Sequence, residues 1–343
     1  MTMRAVAPLE RRCDRAGDHA DEAFHMSIDL TVIVPIYNGM PHLAETIDSI
    51  LVQRRPRFEL LLINDGSSDE GRTKSYLDSL TDSRVRVIHK DNEGLCLTMN
   101  LGFREARGSY VARVDQDDLC APHRFEVQHT YLESHRTVDV VFSHTHKFGD
   151  KQAWHNPDKM SGGTAQKKVV TYDALQHGSI LHSTMMGRRS VFLDIGGYRQ
   201  EYYPADDYDL GLRLTEQYTV HILPDALVRY RFHAGANTYR YFDRMQMASR
   251  WAKDNAKRRR SALEERSFGD YVHEATQSRW TRLNRRRKDA GRFYIRQAGQ
   301  YFLDGRYGRA VFPLVIGTLV APYALYSRLA RGARNMIRST LSR

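Results

Sequence analysis

The chain has 343 residues, enough for one large domain with an appendage or for two domains. Its net charge is +11, and its three cysteines, Cys13, Cys96 and Cys120, form no pair pattern. That excludes a small disulfide-stapled secreted module and fits a reducing compartment. The first 27 residues are polar and charged and lack the apolar core of a signal peptide, so they read as a disordered leader, with Met26 as an alternative start.

Leu30-Thr31-Val32-Ile33-Val34-Pro35 predicts the first buried strand, with Pro35 ending its ladder because proline has no N–H to donate. Tyr37 follows at the edge, with a ring face that can stack on a nucleobase. Residues 41–53 predict a helix, since Ile47, Ile50 and Leu51 recur at i, i+3 and i+4. Phe58 to Asn64 is a second apolar strand that leaves Asp65 at its tip, before the turn-forming Gly66-Ser67-Ser68-Asp69. A second helix is expected over 69–80. Tyr110 to Val114 is a further strand, and it runs into Asp115-Gln116-Asp117-Asp118. The β-α-β-α-β order predicts a parallel sheet whose ligands sit beyond the carboxyl ends of its strands. Two readings of the acidic stretch remain at this point. Its carboxylates suit Mg²⁺ or Mn²⁺ carrying a diphosphate, or they form an acidic turn that caps the next helix.

His144 and His146 fall on one face of a strand, but no further ligands accompany them, so a solvated face is expected rather than zinc. Asp206 and Asp207 open a helix whose Leu210 and Leu214 share a face. A carboxylate there serves either as a general base for a hydroxyl or as a favourable charge at a helix N-terminus. Val220 to Leu223 predicts an edge strand, followed by a turn at Pro224-Asp225 and then His233.

The segments Val32 to Asn38, Ile63 to Asp69, Asn92-Glu93-Gly94-Leu95, Asn100-Leu101-Gly102, Ala106 to Tyr110 and Asp115 to Asp118 resemble the family 2 glycosyltransferases in order and spacing. His182 to Met186, Ile195-Gly196-Gly197-Tyr198 and Ala205 to Leu210 continue the resemblance, which covers about residues 28–235. It implies a GT-A fold, an α/β architecture with a Rossmann-like, mostly parallel mixed sheet flanked by helices. It also implies inverting transfer from a nucleotide-sugar donor, with UDP as the default nucleotide. By the same resemblance Pro35, Tyr37, Asn38, Asp65, Asn92, Gly94 and Asp115 form the nucleotide site. Asp117, with Asp115 and His233, holds Mn²⁺ or Mg²⁺. Asp207 is the catalytic base, and Asp118, His182 and Asp206 lie near the donor sugar and acceptor. A glycan or lipid-linked precursor of a cell-surface polysaccharide is the expected acceptor. Two departures bear on that acceptor: Asp206 stands where Glu is usual, and Gly211 stands where Trp is common. Gln277-Ser278-Arg279-Trp280 is one residue short of the Gln-x-x-Arg-Trp of processive synthases, which favours transfer of one sugar or a few.

Charge divides the chain. From Arg240 to Arg343 there are 24 Lys and Arg against 8 Asp and Glu, which leaves a net −5 on the rest. Arg258-Arg259-Arg260 and Arg285-Arg286-Arg287-Lys288 suit a polyanion. Ala310 to Tyr326 is uncharged, but Pro313 and Pro322 interrupt it as a simple membrane span. The expected organisation is a leader over 1–27, a transferase domain over 28–239 and a basic helical region over 240–343. Segment 310–338 of that region is expected to lie on an anionic membrane, placing a cytoplasmic enzyme on the inner face. No base-reading motif accompanies the arginines, so nucleic acid is not an expected partner. A sugar nucleotidyltransferase would need a basic Gly-rich loop after the first strand, where Ile36 to Pro41 has no basic residue. A non-catalytic nucleotide-sugar-binding scaffold is the other alternative, and the carboxylate set speaks against it.

Overall fold

The computed structural model describes residues 28–149, 168–171, 173, 175, 180–232, 241–303 and 305–322. Apolar, β-branched runs form the first two strands, β1 (Leu30–Ile36) and β2 (Phe58–Asp65), which pair in parallel from Leu30 opposite Phe58 to Ile36 opposite Asn64. β3 (Val85–Lys90) adds in parallel to β2, and β4 (Tyr110–Arg113) to the other flank of β1. β8 (Met186–Arg188) pairs antiparallel with both β4 and β6 (Val140–Gly149). β6 then pairs in parallel with β9 (Val220–Phe232), whose far edge carries β5 (Leu119–Cys120) and β7 (Lys168–Val170). The described residues thus give a nine-stranded mixed sheet of order β3-β2-β1-β4-β8-β6-β9-β5, with β7 also on β9.

Alternation along the strands supplies two buried faces. Val32, Val34, Leu60 and Leu62 face helices α1 (Leu43–Leu51) and α4 (Arg124–Ser134). Ile33, Leu61 and Ile63 face α3 (Leu95–Glu105), α5 (Arg189–Asp194) and α6 (Asp206–Gln217). A Cβ at Gly102 would stand 2.6 Å from Ile33, so only glycine lets α3 lie this close to β1. The helices expected over 41–53 and 69–80 are present as α1 and α2 (Arg72–Asp78).

Two expectations are corrected. Pro35 does not end β1 but lies inside it. Ile33, on the same side of the strand as Pro35, accepts from Val114, and registered pairing with β4 stops at Ile33. The bond that Pro35 forgoes therefore falls where that flank has already run out. Nor is Val220–Leu223 an edge strand closed by a turn. β9 continues through Pro224 to Phe232, with neighbours on both sides. The register with β6 jumps from Leu223 to Ala226, so the bulge falls on Pro224 and Asp225, where the missing N–H costs no ladder bond.

Among the described residues, the chain beyond residue 240 forms four helices. α7 (Phe242–Arg260) and α8 (Phe268–Thr276) share the core on the α6 side through Ala248, Trp251, Ala252, Ala256, Tyr271 and Ala275. Trp251 stacks on Tyr202 with ring centres 3.9 Å apart, and Asn255 donates to the Tyr202 hydroxyl at 2.8 Å. α9 (Arg279–Leu303) and α10 (Tyr307–Val320) pack together where Gly291 and Gly317 admit Ala321 and Ile295.

Candidate active site

Three loops at the carboxyl ends of β1, β2 and β4 are tied to one another. The Asn38 amide donates to Ser67 Oγ at 2.9 Å, and Asn38 Oδ1 accepts from the Ser68 amide at 2.7 Å. Gln116 clamps the first loop to the third: its Oε1 accepts from the Tyr37 amide, and its Nε2 donates to the Tyr37 carbonyl. Tyr37 itself is 46% exposed, with its ring available for contact and its hydroxyl 3.2 Å from Ser68 Oγ.

Asp65 is held at the β2 tip. Its Oδ1 accepts from Lys90 Nζ at 2.5 Å and the Glu93 amide at 2.9 Å, and its Oδ2 from the Gly94 amide at 2.9 Å. Burial opposes its charge, but those amides and Lys90 outweigh it and hold the carboxyl below its ordinary range. Asn92 closes the same loop by donating to the Asp65 carbonyl.

After β4 the acidic residues diverge in role. Asp115 Oδ1 takes Arg113 Nε at 2.7 Å, while its own amide donates to Ser183 Oγ. Asp117 is partly exposed, and its carbonyl accepts from Arg231 Nε. Asp118 is fully buried; one oxygen accepts from the Arg231 amide, and Oδ2 has no hydrogen-bond partner. Burial, then the charges of Asp117 and Asp115, push the Asp118 carboxyl well above its ordinary range. The charges of Asp117 and Asp115 therefore both reach the buried Asp118 carboxyl.

A second acidic group comes from the start of α6. Ala205 is the N-cap and makes no side-chain cap bond, while Asp206 and Asp207 lie in the first turn, where the helix dipole favours acidic residues. Asp206 is buried, with Oδ2 unpartnered. Asp207 Oδ1 accepts from the Tyr208 amide at 2.6 Å. Burial and then the adjacent Asp206 charge raise its carboxyl to about 7, with Arg113 pulling the other way. His182 sits in a short 3₁₀ turn, His182–Thr184. Its Nδ1 lies 2.8 Å from the Tyr198 hydroxyl, and burial, then Arg113, keep it neutral by lowering its pKa well below normal.

Gly211 packs beside Ile180 and Leu175, so the core fills the place where the resemblance led one to expect Trp. His144 and His146 are exposed on β6, and among the described residues no three His, Cys, Asp or Glu side chains cluster as a metal site. His233 lies outside the described residues. Sequence reasoning missed Arg113, Tyr198, Lys90 and Arg231, and gave Gln116 and Ser183 no role. A charge inside the apolar run Tyr110 to Val114 was the one available signal for Arg113. Asp209 also went unassigned: it is fully buried and pairs with Arg199 and Arg213, bracing α6 rather than reaching the cleft.

The family model described as glycosyl transferase family 2 matches residues 31–196. The putative glycosyltransferase EpsE of Bacillus subtilis is 33% identical over 221 residues, 62% of this chain and 76% of EpsE. The chain belongs to glycosyl transferase family 2. An uncharacterized glycosyltransferase of Rickettsia felis is 30% identical over 236 residues, 68% of this chain. The chain spans only 37% of the length of that family relative. Among solved structures, S. aureus TarS 1–349 in complex with UDP-GlcNAc aligns with a TM-score of 0.53 at 15% identity, over 85% of this chain and 91% of that one. The mixed sheet with flanking helices is accordingly GT-A-like.

Proposed function

We propose that this protein transfers a sugar, with inversion, from a nucleotide-sugar donor to a hydroxyl of a glycan or lipid-linked acceptor in cell-surface polysaccharide assembly. The observation that carries the reading is the meeting of two carboxylate groups, 115–118 and 206–207, around Arg113 at the carboxyl edge of the sheet. A UDP-sugar is the proposed donor. Tyr37 offers a stacking face, and Asp65 Oδ2, with a single amide bond, retains a lone pair for an N–H or O–H of the nucleoside. Pro35, Asn38, Asn92 and Gly94 shape that end of the site. The domain limits proposed are 28–239 for the transferase domain and 240–343 for a basic helical region, with segment 310–338 on the membrane surface.

The acidic residues after β4 fit a divalent ion. The acidic charge that Asp117 and Asp115 bring to Asp118, and the unpartnered oxygen of Asp118, are what a cation would relieve, and Asp117 with Asp115 would hold it, as hard oxygen ligands suited to Mn²⁺ or Mg²⁺. Such an ion supplies charge neutralisation to a departing diphosphate. Asp207 takes the proton of the acceptor hydroxyl. As it does so, the acceptor oxygen bonds to the anomeric carbon and the bond from that carbon to the diphosphate oxygen breaks on the opposite side. A carboxyl near 7 is well matched to this task at neutral pH. Asp118, His182 and Asp206 line the region of the sugar.

Attachment to the inner face of the cell membrane is proposed for the basic C-terminal region. No helix among the described residues is long and apolar enough to cross a membrane. Val311, Phe312, Val315 and Leu319 are nonetheless exposed on α10, a pattern suited to lying in a headgroup layer.

Calorimetry of UDP binding with and without Mn²⁺ tests the assignment. Asp117→Ala is expected to abolish the metal-dependent gain in affinity and all transfer while leaving the fold intact. A mutant that keeps that gain would falsify it.

A further inference from the structure

The proposed reaction uses two groups of carboxylates, and the buried Arg113 side chain bonds to one group while its charge acts on the other. Arg113 is almost fully buried in β4. Its Nε donates to Asp115 Oδ1 at 2.7 Å, and its Nη1 donates to the Tyr198 hydroxyl at 2.9 Å. Its guanidinium carbon lies 5.4 Å from the centre of the Tyr198 ring. The Tyr198 hydroxyl in turn meets His182 Nδ1 at 2.8 Å. Tyr198 is fixed by the Asn100 side chain, whose Nδ2 donates to the Tyr198 carbonyl and whose Oδ1 accepts from the Tyr198 amide, each at 2.8 Å. On the other side Asp206 and Asp207 feel the same guanidinium charge, although neither makes an ion pair with it.

We propose that Arg113 is a positioning residue that locks the phosphate-side carboxylate Asp115 to the acceptor-side wall, with Tyr198 and His182 as the rigid link. The inference rests on the transferase reading and deepens it by naming what sets the spacing between the two groups. A guanidinium suits the place because its planar fork offers donors in two directions at once and stays charged when buried. Lysine has the charge without the fork. Arg213, the nearby alternative on α6, is already committed to Asp209 and to the carbonyls of Ile195 and Gly197.

The electrostatics agree with this geometry. The groups facing Asp207 are Asp206 on its own helix, Arg113 from β4, Asp115 from the loop after β4 and the neutral His182 from the 3₁₀ turn. Cys96 of α3 faces Asp206 and is itself held protonated, first by burial and then by that carboxylate. Arg113 is the cation in this set, so removing it leaves the carboxylates to raise one another.

Three variants of the full chain test the proposal. Arg113→Met removes both charge and fork, Arg113→Lys restores the charge alone, and Tyr198→Phe removes one hydroxyl while keeping the ring. Asp carboxyls are labelled with ¹³C, and the Asp207 signal is assigned by its loss in Asp207→Asn. Its midpoint is expected to rise by about one pH unit in Arg113→Met and to stay near wild type in Arg113→Lys and Tyr198→Phe. Hydrolysis of the UDP-sugar that the wild type turns over best is measured beside it. Turnover is expected to fall tenfold or more in Arg113→Lys and Tyr198→Phe, with KM within threefold. If Arg113→Met does not fold, the other two variants decide, since both are near-conservative. An unmoved Asp207 midpoint in Arg113→Met, or unchanged turnover per folded molecule in Arg113→Lys and Tyr198→Phe, overturns the proposal. Failure of the wild type to hydrolyse any UDP-sugar overturns the transferase reading instead, and the NMR titration still reports on Arg113.

Discussion

At Asp207 stability and function pull apart. Its carboxyl is raised from 3.8 to about 7, so between those values the folded chain binds more protons than the unfolded one. Stability therefore falls as pH rises through that window, and the form with Asp207 ionised is the less stable one. Asp207→Asn cannot ionise, so its melting temperature is expected to exceed that of wild type at pH 8 and to approach it at pH 4. Turnover should drop by roughly 10²–10⁴, the usual worth of a positioned base, while UDP affinity changes less than threefold. Wild-type turnover should lose its activity below about pH 7, and the Asn variant should lack that limb. Melting curves at two pH values and a pH–rate profile check this. Retained turnover would move the base elsewhere. The candidate carboxylates were legible in the chain because each ends a strand or opens a helix. Arg113 and Arg231 were not. Arg113 bonds to Tyr198 over 85 positions and Arg231 to Asp118 over 113, separations that sequence spacing cannot rank.

Among the elements, the β2–α2 loop is built on a backbone choice. Gly66 has φ +62°, and a Cβ there would stand 2.6 Å from the Asn92 nitrogen. Gly66→Ala should cost about 1–2 kcal/mol for the left-handed conformation alone. It should also displace Asn92 and loosen the amides that hold Asp65. UDP affinity is expected to fall about tenfold, near the 1.4 kcal/mol that one decade requires. Calorimetry of UDP binding with a thermal melt separates the two effects, and unchanged affinity would show that the Asp65 clamp is dispensable. In the parallel half of the sheet β1, β2 and β4 were readable because they are largely apolar runs, whereas β3 and α3, which lie between β2 and β4 in the chain, were not expected. The antiparallel half was not readable. β5 and β8 have two and three residues, too short for any period, and proline masked the length of β9.

On the scale of the whole molecule, the basic region is not all tail. Arg199 and Arg259 both pair with Glu265, and Arg259 also pairs with Glu216 on α6. A chain ended at residue 240 would strip Tyr202 and the outer face of α6 of their cover. It is expected to aggregate, whereas one ended after Thr276 should retain UDP binding. Soluble yield and calorimetry of the two chains decide this, and a well-behaved short chain would show that α7 and α8 are dispensable. The proposed membrane attachment would fall to α9 and α10. Phe312 and Leu319 are 69% and 73% exposed, and Arg282, Arg286 and Arg287 are exposed on α9. Sedimentation with anionic vesicles should show binding that weakens with salt but persists in part. Replacing Phe312 and Leu319 with Ser should remove the salt-resistant part. No vesicle binding by the unaltered chain would leave these helices as packing alone.

The place of β9 has a consequence for how the protein is made. A ribosome delivers the acidic turn about a hundred residues before the strand that steadies it, and that strand inserts between β6 and the short strands β5 and β7. A nascent chain can assemble β1 to β4 early, as domains do during synthesis. Asp117 and Asp118 must then wait for Arg231, so the proposed active site stays incomplete until that residue has left the exit tunnel.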